Sequence, residues 1–214
     1  FQNCDMSLNA RDVPKNVSRE TLNDLDRFVQ LVTKWNPAIN LVAKNSLADV
    51  WVRHIKDSVQ LIPLAPIRRS WIDLGSGGGF PGIVVSVILK EIAPETCMYL
   101  VESDARKAAF LREASRTLRI NCQVINQRIE EINLPPAPVI SARALAHLDK
   151  LLHISERIID SDGVCLFMKG KSYQDEVRLA RESWNFDCEV IQSTTSAEAA
   201  VLRVRNIECA AKKP

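Results

Sequence analysis

The stretch "WIDLGSGGGFPG", Trp71 to Gly82, packs five glycines into the eight residues from Gly75 onward, just after a short apolar run. Such a loop lets backbone approach a ligand closely. Two frames fit the same letters. Gly77-x-Gly79-x-x-Gly82 spells the dinucleotide fingerprint G-x-G-x-x-G. Asp73-x-Gly75-x-Gly77-x-Gly79 spells the loop of enzymes that use S-adenosylmethionine (SAM). One frame implies hydride transfer and the other methyl transfer.

The surrounding pattern separates them. Downstream, short apolar runs alternate with amphipathic ones. Strands are expected at 71–74, 97–102, 122–126, 138–142 and 163–169, with helices at 82–90, 104–119, 147–159 and 173–184. Then "DCEVIQS" (187–193) and "AAVLRVRNI" (199–207) follow with no helix between them, so they should pair as a hairpin. Strands alternating with helices mean an open, mostly parallel α/β sheet whose ligands bind at the strand carboxyl ends. Seven strands with an antiparallel last pair look like the Rossmann-like sheet of SAM-dependent methyltransferases, with helices on both faces. A dinucleotide enzyme usually needs a second domain for its substrate, and little chain remains to build one.

Upstream of the loop no strand pattern appears. Ser18 suits the N-cap of a helix in which Leu22, Leu25, Val29, Val32 and Trp35 recur at helical spacing, ended by Asn36-Pro37. A second helix is expected from Ser46, with Asp49 placed as in a capping box, to about Leu61. Residues 1–66 therefore read as a helical N-terminal extension packed on a methyltransferase domain at 67–214, one compact unit in all.

Within the loop, the strand ends near Leu74, so Gly75 makes the immediate turn and the dinucleotide frame starts two residues late. Gly82 follows Pro81, which suits the first turn of a helix. Asp73 favours SAM: an acid there can steady the loop and a cationic sulfonium, whereas it would repel a pyrophosphate. Glu102 ends the second strand and can hold ribose hydroxyls in either cofactor, so it does not discriminate. After the third strand, Ile129 can pack on an adenine ring and Glu130 can accept from its exocyclic amine, and Glu130 equally suits a solvated glutamate at a helix start.

Composition excludes other classes. At 214 residues, 46% apolar and 25% charged, the chain suits a single globular unit. A net charge of +2 permits a nucleic-acid partner without requiring one. No run approaches the ~20 apolar residues of a membrane span, and the start carries no signal-peptide pattern. Cys4, Cys97, Cys122, Cys165, Cys188 and Cys209 form no C-x-x-C pair, so they read as reduced, small hydrophobes of a cytoplasmic protein with no metal site.

The acceptor is narrowed by what is missing. Methylation of a pyrimidine carbon usually needs a cysteine nucleophile, and none follows the fourth or fifth strand. Methylation of an exocyclic amine commonly uses an Asn/Asp-Pro-Pro-aromatic loop, where this chain has "SARALAHL". A ring nitrogen such as guanine N7 carries a free lone pair and needs no base, so alignment and electrostatics suffice. Arg143, at the end of the fourth strand, is a candidate to hold cofactor or orient nearby groups; as a solvated surface charge it would do neither. Lys169, in "FMKGK", is a candidate for phosphate or substrate on the same terms. In "VRHIKDS" (52–58), Arg53 and Asp57 lie four apart and can pair on a helix, with His54 and Ser58 on a neighbouring face. The basic residues Arg68, Arg69, Arg106, Lys107, Arg112, Arg116 and Arg119 suit either an RNA-facing surface or a solvated helix face.

Taken in order, "WNPAINLVA", "RHIKDS", "IDLGSGGGFPG", "VESDARKAAFLRE", "VISARALAHL" and "FMKGK" resemble the successive motifs of the bacterial 16S ribosomal RNA guanine-N7 methyltransferases, the RsmG or GidB family. The resemblance covers about residues 20 to 207. It implies SAM as cofactor, released as S-adenosylhomocysteine, and a guanine of 16S ribosomal RNA or the small ribosomal subunit as acceptor. It implies cofactor contacts at Gly75, Phe80, Ile129, Glu130 and Arg143, to which the loop frame adds Asp73, Gly77, Gly79 and Glu102. It also turns "RHIKDS" into a substrate-side element, with Arg143, His54 and Lys169 as candidates for substrate positioning. A monomer with no metal and no membrane contact is expected. The family often has proline where this chain has Gly78. Two other readings stand beside it: a SAM-binding ribosome-assembly factor without essential catalysis, and a dinucleotide-binding oxidoreductase.

Overall fold

The computed structural model describes residues 17–210; Cys4 and the last four residues of the tail lie outside them. The sheet has seven strands: β1 (Ser70–Leu74), β2 (Cys97–Val101), β3 (Cys122–Ile125), β4 (Ala137–Arg143), β5 (Ile159–Lys169), β6 (Trp184–Gln192) and β7 (Ala200–Cys209). Their order is β3-β2-β1-β4-β5-β7-β6. β1 to β5 are mutually parallel, and β7 runs antiparallel between β5 and β6. This is the expected sheet, closing hairpin included. Strand order reverses between β1 and β4, and at such a switch point the flanking loops splay apart and leave a crevice at the carboxyl ends.

Register decides what stands at that crevice. Leu74 pairs with Val101 on one side and Ala142 on the other, and Arg143 with Met168. The next residues along, Gly75, Glu102 and Arg143, therefore form a row at the sheet's upper rim, with Lys169 beyond.

The period-two alternation splits the core between two helical layers. Trp71, Val139, Val164 and Leu166 pack with α1 (Arg19–Ile39), α3 (Gly82–Ile92) and α4 (Ala105–Leu118) on one face. Ile72, Leu74, Ile140 and Phe167 pack with α5 (Leu148–Ser155) and α6 (Tyr173–Ala180) on the other. In α1, Leu25, Phe28 and Val32 are fully buried, each worth roughly 1.5–3 kcal/mol relative to exposure. The Ser18 cap forms, accepting from the Thr21 amide. Thr21 in turn donates to Glu91 at the far end of α3, so cap and helix packing reinforce each other.

Three expectations are corrected. The first helix does not end at Asn36-Pro37 but runs to Ile39. Buried Asn36 holds that last turn: its carbonyl accepts from the Asn40 amide and its side chain from the Val42 amide at 2.8 Å. The helix expected from Ser46 to Leu61 is shorter and differently wound: it is continuous only over 50–59, π-helical across Trp51–Lys56 and α-helical across α2 (Asp57–Val59), with separate 3-10 turns before it (Lys44–Ser46) and after it (Ile62–Leu64). Ser46 cannot cap it, because its buried hydroxyl donates to the Ala43 carbonyl and faces His54; Asp49 stays exposed. Lastly, the helix expected over 173–184 stops at Ala180, and Trp184 opens β6. Burial of the Trp184 ring and its bond to Asp149 at 2.8 Å outweigh local helix propensity.

The cysteines behave as small hydrophobes. Cys97, Cys122, Cys165, Cys188 and Cys209 are free, and burial pushes the Cys122 and Cys165 thiols up to about 12. Among the described residues no helix is long and apolar enough to cross a membrane, and no group of His, Cys, Asp or Glu is arranged to hold a metal ion.

Candidate active site

The glycine loop leaves β1 with Gly75, Gly77 and Gly79 all at positive φ. This orientation turns the Gly77 amide onto Glu102 Oε2 at 2.8 Å. The Asp104 amide takes Oε1, also at 2.8 Å. A carboxylate has about four lone-pair sites, so Glu102 braces two loops and keeps acceptor capacity toward the crevice. A side chain at Gly75 would fill the crevice: its Cβ would sit 2.4 Å from Leu145 Cδ1.

Asp73 and Gly79 support the loop without lining the cleft. Asp73 is fully buried, facing α3. Oδ1 accepts from Ser141 at 2.6 Å, and Ser141 accepts from the Trp71 indole at 2.9 Å. Oδ2 lies against Gly82 with no hydrogen bond of good geometry. A side chain at Gly82 would come within 2.6 Å of it, so Gly82 is required by close packing rather than by a phosphate. Burial pushes the Asp73 carboxyl up to about 6, against the pull of Ser141, Ser76, the Gly82 amide and Arg143. The acid therefore steadies the loop from beneath; the direct approach to a sulfonium read from the sequence is not its geometry. Gly79 packs against Phe28 and Ile83.

A cleft of about 430 Å³ opens over this loop. Its walls include Gly75, Gly77, Phe80, Glu102, Ile129, Glu130 and Arg143, which brings together seven of the nine expected cofactor positions. Ile129 is buried, whereas Glu130 is half-exposed and paired with Lys150 at 2.5 Å. That pair holds the Glu130 carboxyl below its usual range. Phe80 is a buried floor. Phe28 packs beneath it at 5.1 Å, His54 lies at 4.9 Å, and the Arg143 guanidinium sits 5.3 Å over the ring.

A second cleft of about 510 Å³ lies across Arg143, Ala144 and Leu145, which line both. Its other walls include Asp57, Gln60, Lys169, Glu176 and Ser193. Lys169 is not a solvated charge. Its ammonium is buried and donates to Glu176 and to the Ala146 carbonyl, both at 2.6 Å.

Arg143 joins the two clefts. NH1 meets His54 Nδ1 at 2.9 Å and Asp57 Oδ2 at 3.6 Å. Asp57 thus pairs across the fold rather than with Arg53, and its other oxygen accepts from Thr195 at 2.7 Å and Gln60 at 2.8 Å. The π-helical turn is what aims His54 and Asp57 at the same guanidinium; such wide turns recur at functional sites. His54 lines neither cleft. Burial, then Arg143 and Arg53, lower its pKa to about 4, so the ring is neutral. Sequence reasoning missed Ser46, Gln60, Glu176 and Thr195 as parts of this site. Only Asp57 had a signal, the acid of "RHIKDS", and it pointed to the wrong partner.

Comparison with known proteins follows the same lines. A family model described as rRNA small subunit methyltransferase G (GidB) matches residues 21–206. The Ribosomal RNA small subunit methyltransferase G of Ruegeria pomeroyi is 47% identical over 192 residues, covering 90% of this chain and 94% of the relative. That of Rhodospirillum centenum is 48% identical, covering 89% and 87%. Among solved structures, a SAM-dependent methyltransferase from Aquifex aeolicus superposes with a TM-score of 0.58 at 13% identity, covering 73% of this chain and 92% of the other, a likeness of fold.

Proposed function

The chain belongs to the rRNA small subunit methyltransferase G family, and we propose from that premise that it methylates N7 of a guanine in 16S ribosomal RNA, working in the cytoplasm as a monomer without a metal. One observation carries the reading: two clefts of ligand size meet at Arg143, Ala144 and Leu145. The cleft over the glycine loop suits SAM, and the cleft bounded by Asp57, Lys169 and Glu176 suits the acceptor base.

The residues present fit the cofactor. Glu102 has free lone pairs where ribose hydroxyls need acceptors, and Phe80 and Ile129 offer apolar surface for the adenosine. Glu130, if it turns from Lys150, can accept from the exocyclic amine. Arg143 supplies the cationic fork that a carboxylate needs. When bound, SAM supplies an electrophilic methyl group and departs as S-adenosylhomocysteine.

The chain's own residues then orient and exclude rather than move protons. Phe80 and Leu145 give the cofactor cleft apolar walls. Lys169 is held by Glu176 against the acceptor cleft. His54 has both ring nitrogens engaged, by Arg143 and Ser46, and takes no proton from a substrate. N7 attacks through a lone pair and loses no proton, which matches a site that works by alignment.

The test is transfer of labelled methyl from SAM to unmethylated 16S ribosomal RNA or small subunits, with the product mapped by mass spectrometry. Label at guanine N7 is expected. No transfer to any ribosomal substrate rejects the enzyme in favour of an assembly factor, and label at N1 or an amino group rejects the N7 assignment alone. Tight NAD binding without SAM binding rejects both.

A further inference from the structure

We infer that Ser46 and His54 are positioning residues for Arg143: a one-way chain of hydrogen-bond donors fixes one tautomer of His54 and holds the guanidinium at the junction of the two clefts. This rests on the proposed reaction for its purpose, though not for its geometry.

The direction of the chain follows from the chemistry of its members. Arginine has donors and no acceptor. Its NH1 lies 2.9 Å from His54 Nδ1, so Nδ1 accepts and carries no proton. The ring's proton is then on Nε2, which lies 3.0 Å from Ser46 Oγ and donates to it. The Ser46 hydroxyl hydrogen goes to the Ala43 carbonyl at 2.8 Å. The chain ends on backbone in the turn that precedes the π-helical segment. Every proton in it is assigned, and turning any member round sets donor against donor or acceptor against acceptor.

Packing prevents the ring from escaping. His54 lies 4.9 Å from Phe80, and the Arg143 guanidinium sits over the same Phe80 ring. The charges facing His54 are Arg143 from β4 and Arg53 on its own turn. Asp57 Oδ2 faces the guanidinium from the same segment at 3.6 Å, and buried Asp73 lies below. A protonated His54 would meet Arg143 as a second cation with no acceptor to offer.

Neither Ser46 nor His54 lines either cleft, so Ser46 reaches a ligand only through His54, and His54 through Arg143, which it hydrogen-bonds, and the Phe80 ring, on which it packs. The sequence offered Ser46 as a helix cap and His54 as a substrate contact. Their geometry gives both a different task, setting the angle of one guanidinium from behind.

The test uses the full chain and SAM alone, by calorimetry. Asparagine at 54 can present an amide oxygen near the Nδ1 position, while glutamine reaches the Nε2 position and leaves Arg143 without its acceptor. His54→Gln should weaken SAM binding about tenfold and Ser46→Ala about threefold, the scale of one charged and one neutral hydrogen bond. His54→Asn should bind several-fold more tightly than His54→Gln. In an Arg143→Ala background Ser46→Ala should not weaken binding further, and His54→Gln should cost far less than its tenfold, only what its packing on Phe80 contributes. Losses that multiply in that background, or wild-type affinity for Ser46→Ala, overturn the proposal. So does a His54→Asn variant no better than His54→Gln.

A second measurement needs no variant. Long-range 1H–15N spectra of the unmodified protein should show His54 protonated at Nε2 alone, with no titration from about pH 5.5 to 8, although an ordinary histidine titrates there. Protonation at Nδ1, or titration in that range, overturns the chain even if a variant fails to fold. A wild type that binds SAM but methylates no ribosomal RNA would sink the proposed function and leave these readouts standing. Normal transfer with a titrating His54 would do the reverse.

Discussion

The guanidinium of Arg143 donates to Nδ1 of His54 across 2.9 Å and 89 residues of sequence. This contact brings the end of β4 under the control of the N-terminal turns. It makes the helical segment part of the site rather than a cover laid over it.

Glu102→Gln should cost both stability and cofactor affinity. Glu102 accepts from two backbone amides, and a glutamine must turn its NH2 toward one of them. A buried donor left facing a donor costs about 1–3 kcal/mol. Thermal unfolding should report that loss, and calorimetry should show SAM binding weakened by at least about tenfold as a ribose acceptor disappears. Unchanged affinity would remove Glu102 from the cofactor site.

Lys169→Met should destabilise strongly, by about 3–5 kcal/mol, because it strands the Glu176 carboxylate near-buried without its ammonium. The double variant Lys169→Met with Glu176→Gln should recover part of that loss in a denaturant titration while remaining defective in methyl transfer. Full recovery of transfer would show that Lys169 serves the fold and nothing more.

Gly79→Ala separates loop support from ligand contact. The added Cβ would lie 2.7 Å from Ile83 and 2.9 Å from Phe28, at a φ of +86°. The strain should lower stability by about 1–3 kcal/mol. Gly79 does not line the cofactor cleft, so variant protein that remains folded should keep SAM affinity closer to wild type than Glu102→Gln does. A calorimetric titration beside a melting curve checks both halves.

Acid should unmask opposing effects of His54 and Asp73. The His54 pKa falls from 6.5 unfolded to about 4 folded. Between those values the unfolded chain binds the extra proton, so this group makes stability fall as pH drops. The Asp73 pKa rises from 3.8 to about 6. There the folded chain binds the extra proton, so this group makes stability rise as pH drops, by up to about 3 kcal/mol in all. Asp73→Asn removes the second effect. Relative to wild type, its stability should decline more steeply from pH 6 to pH 4 in denaturant titrations. Parallel curves would mean that Asp73 does not titrate in this window.

How much of this was legible beforehand depended on how local each signal was. The strands β1, β2 and β4 carry dense apolar runs, and the turn at Gly75 follows from its own residues. Glu102 and Arg143 were legible because both end a strand at the rim where open sheets bind ligands. Asp73 was half legible: the sequence shows an acid at the strand's end, but not that its side chain faces α3 and meets Ser141. The segment from Ser46 to Leu61 was legible as helix over 50–59 but not in its start or its π-helical winding. Its helical spacing suited an ordinary α-helix, and the contacts that go with the wider turn, Arg143 nearly ninety residues on and Thr195 beyond it, are distant in sequence. Trp184 was misread because its burial is decided by Asp149 across the other helical layer.

The sheet order has one further consequence, which concerns crowding rather than catalysis. Among the described residues nothing pairs with the outer margin of β3 or β6. Unpaired strand margins invite other chains to add on, with aggregation as the outcome. β3 is only four residues long and so offers a short template. β6 is nine residues long and includes exposed Val190, but it carries Asp187 and Glu189 in the open. A chain docking there would have to desolvate those carboxylates, so their charge guards the margin that length leaves vulnerable.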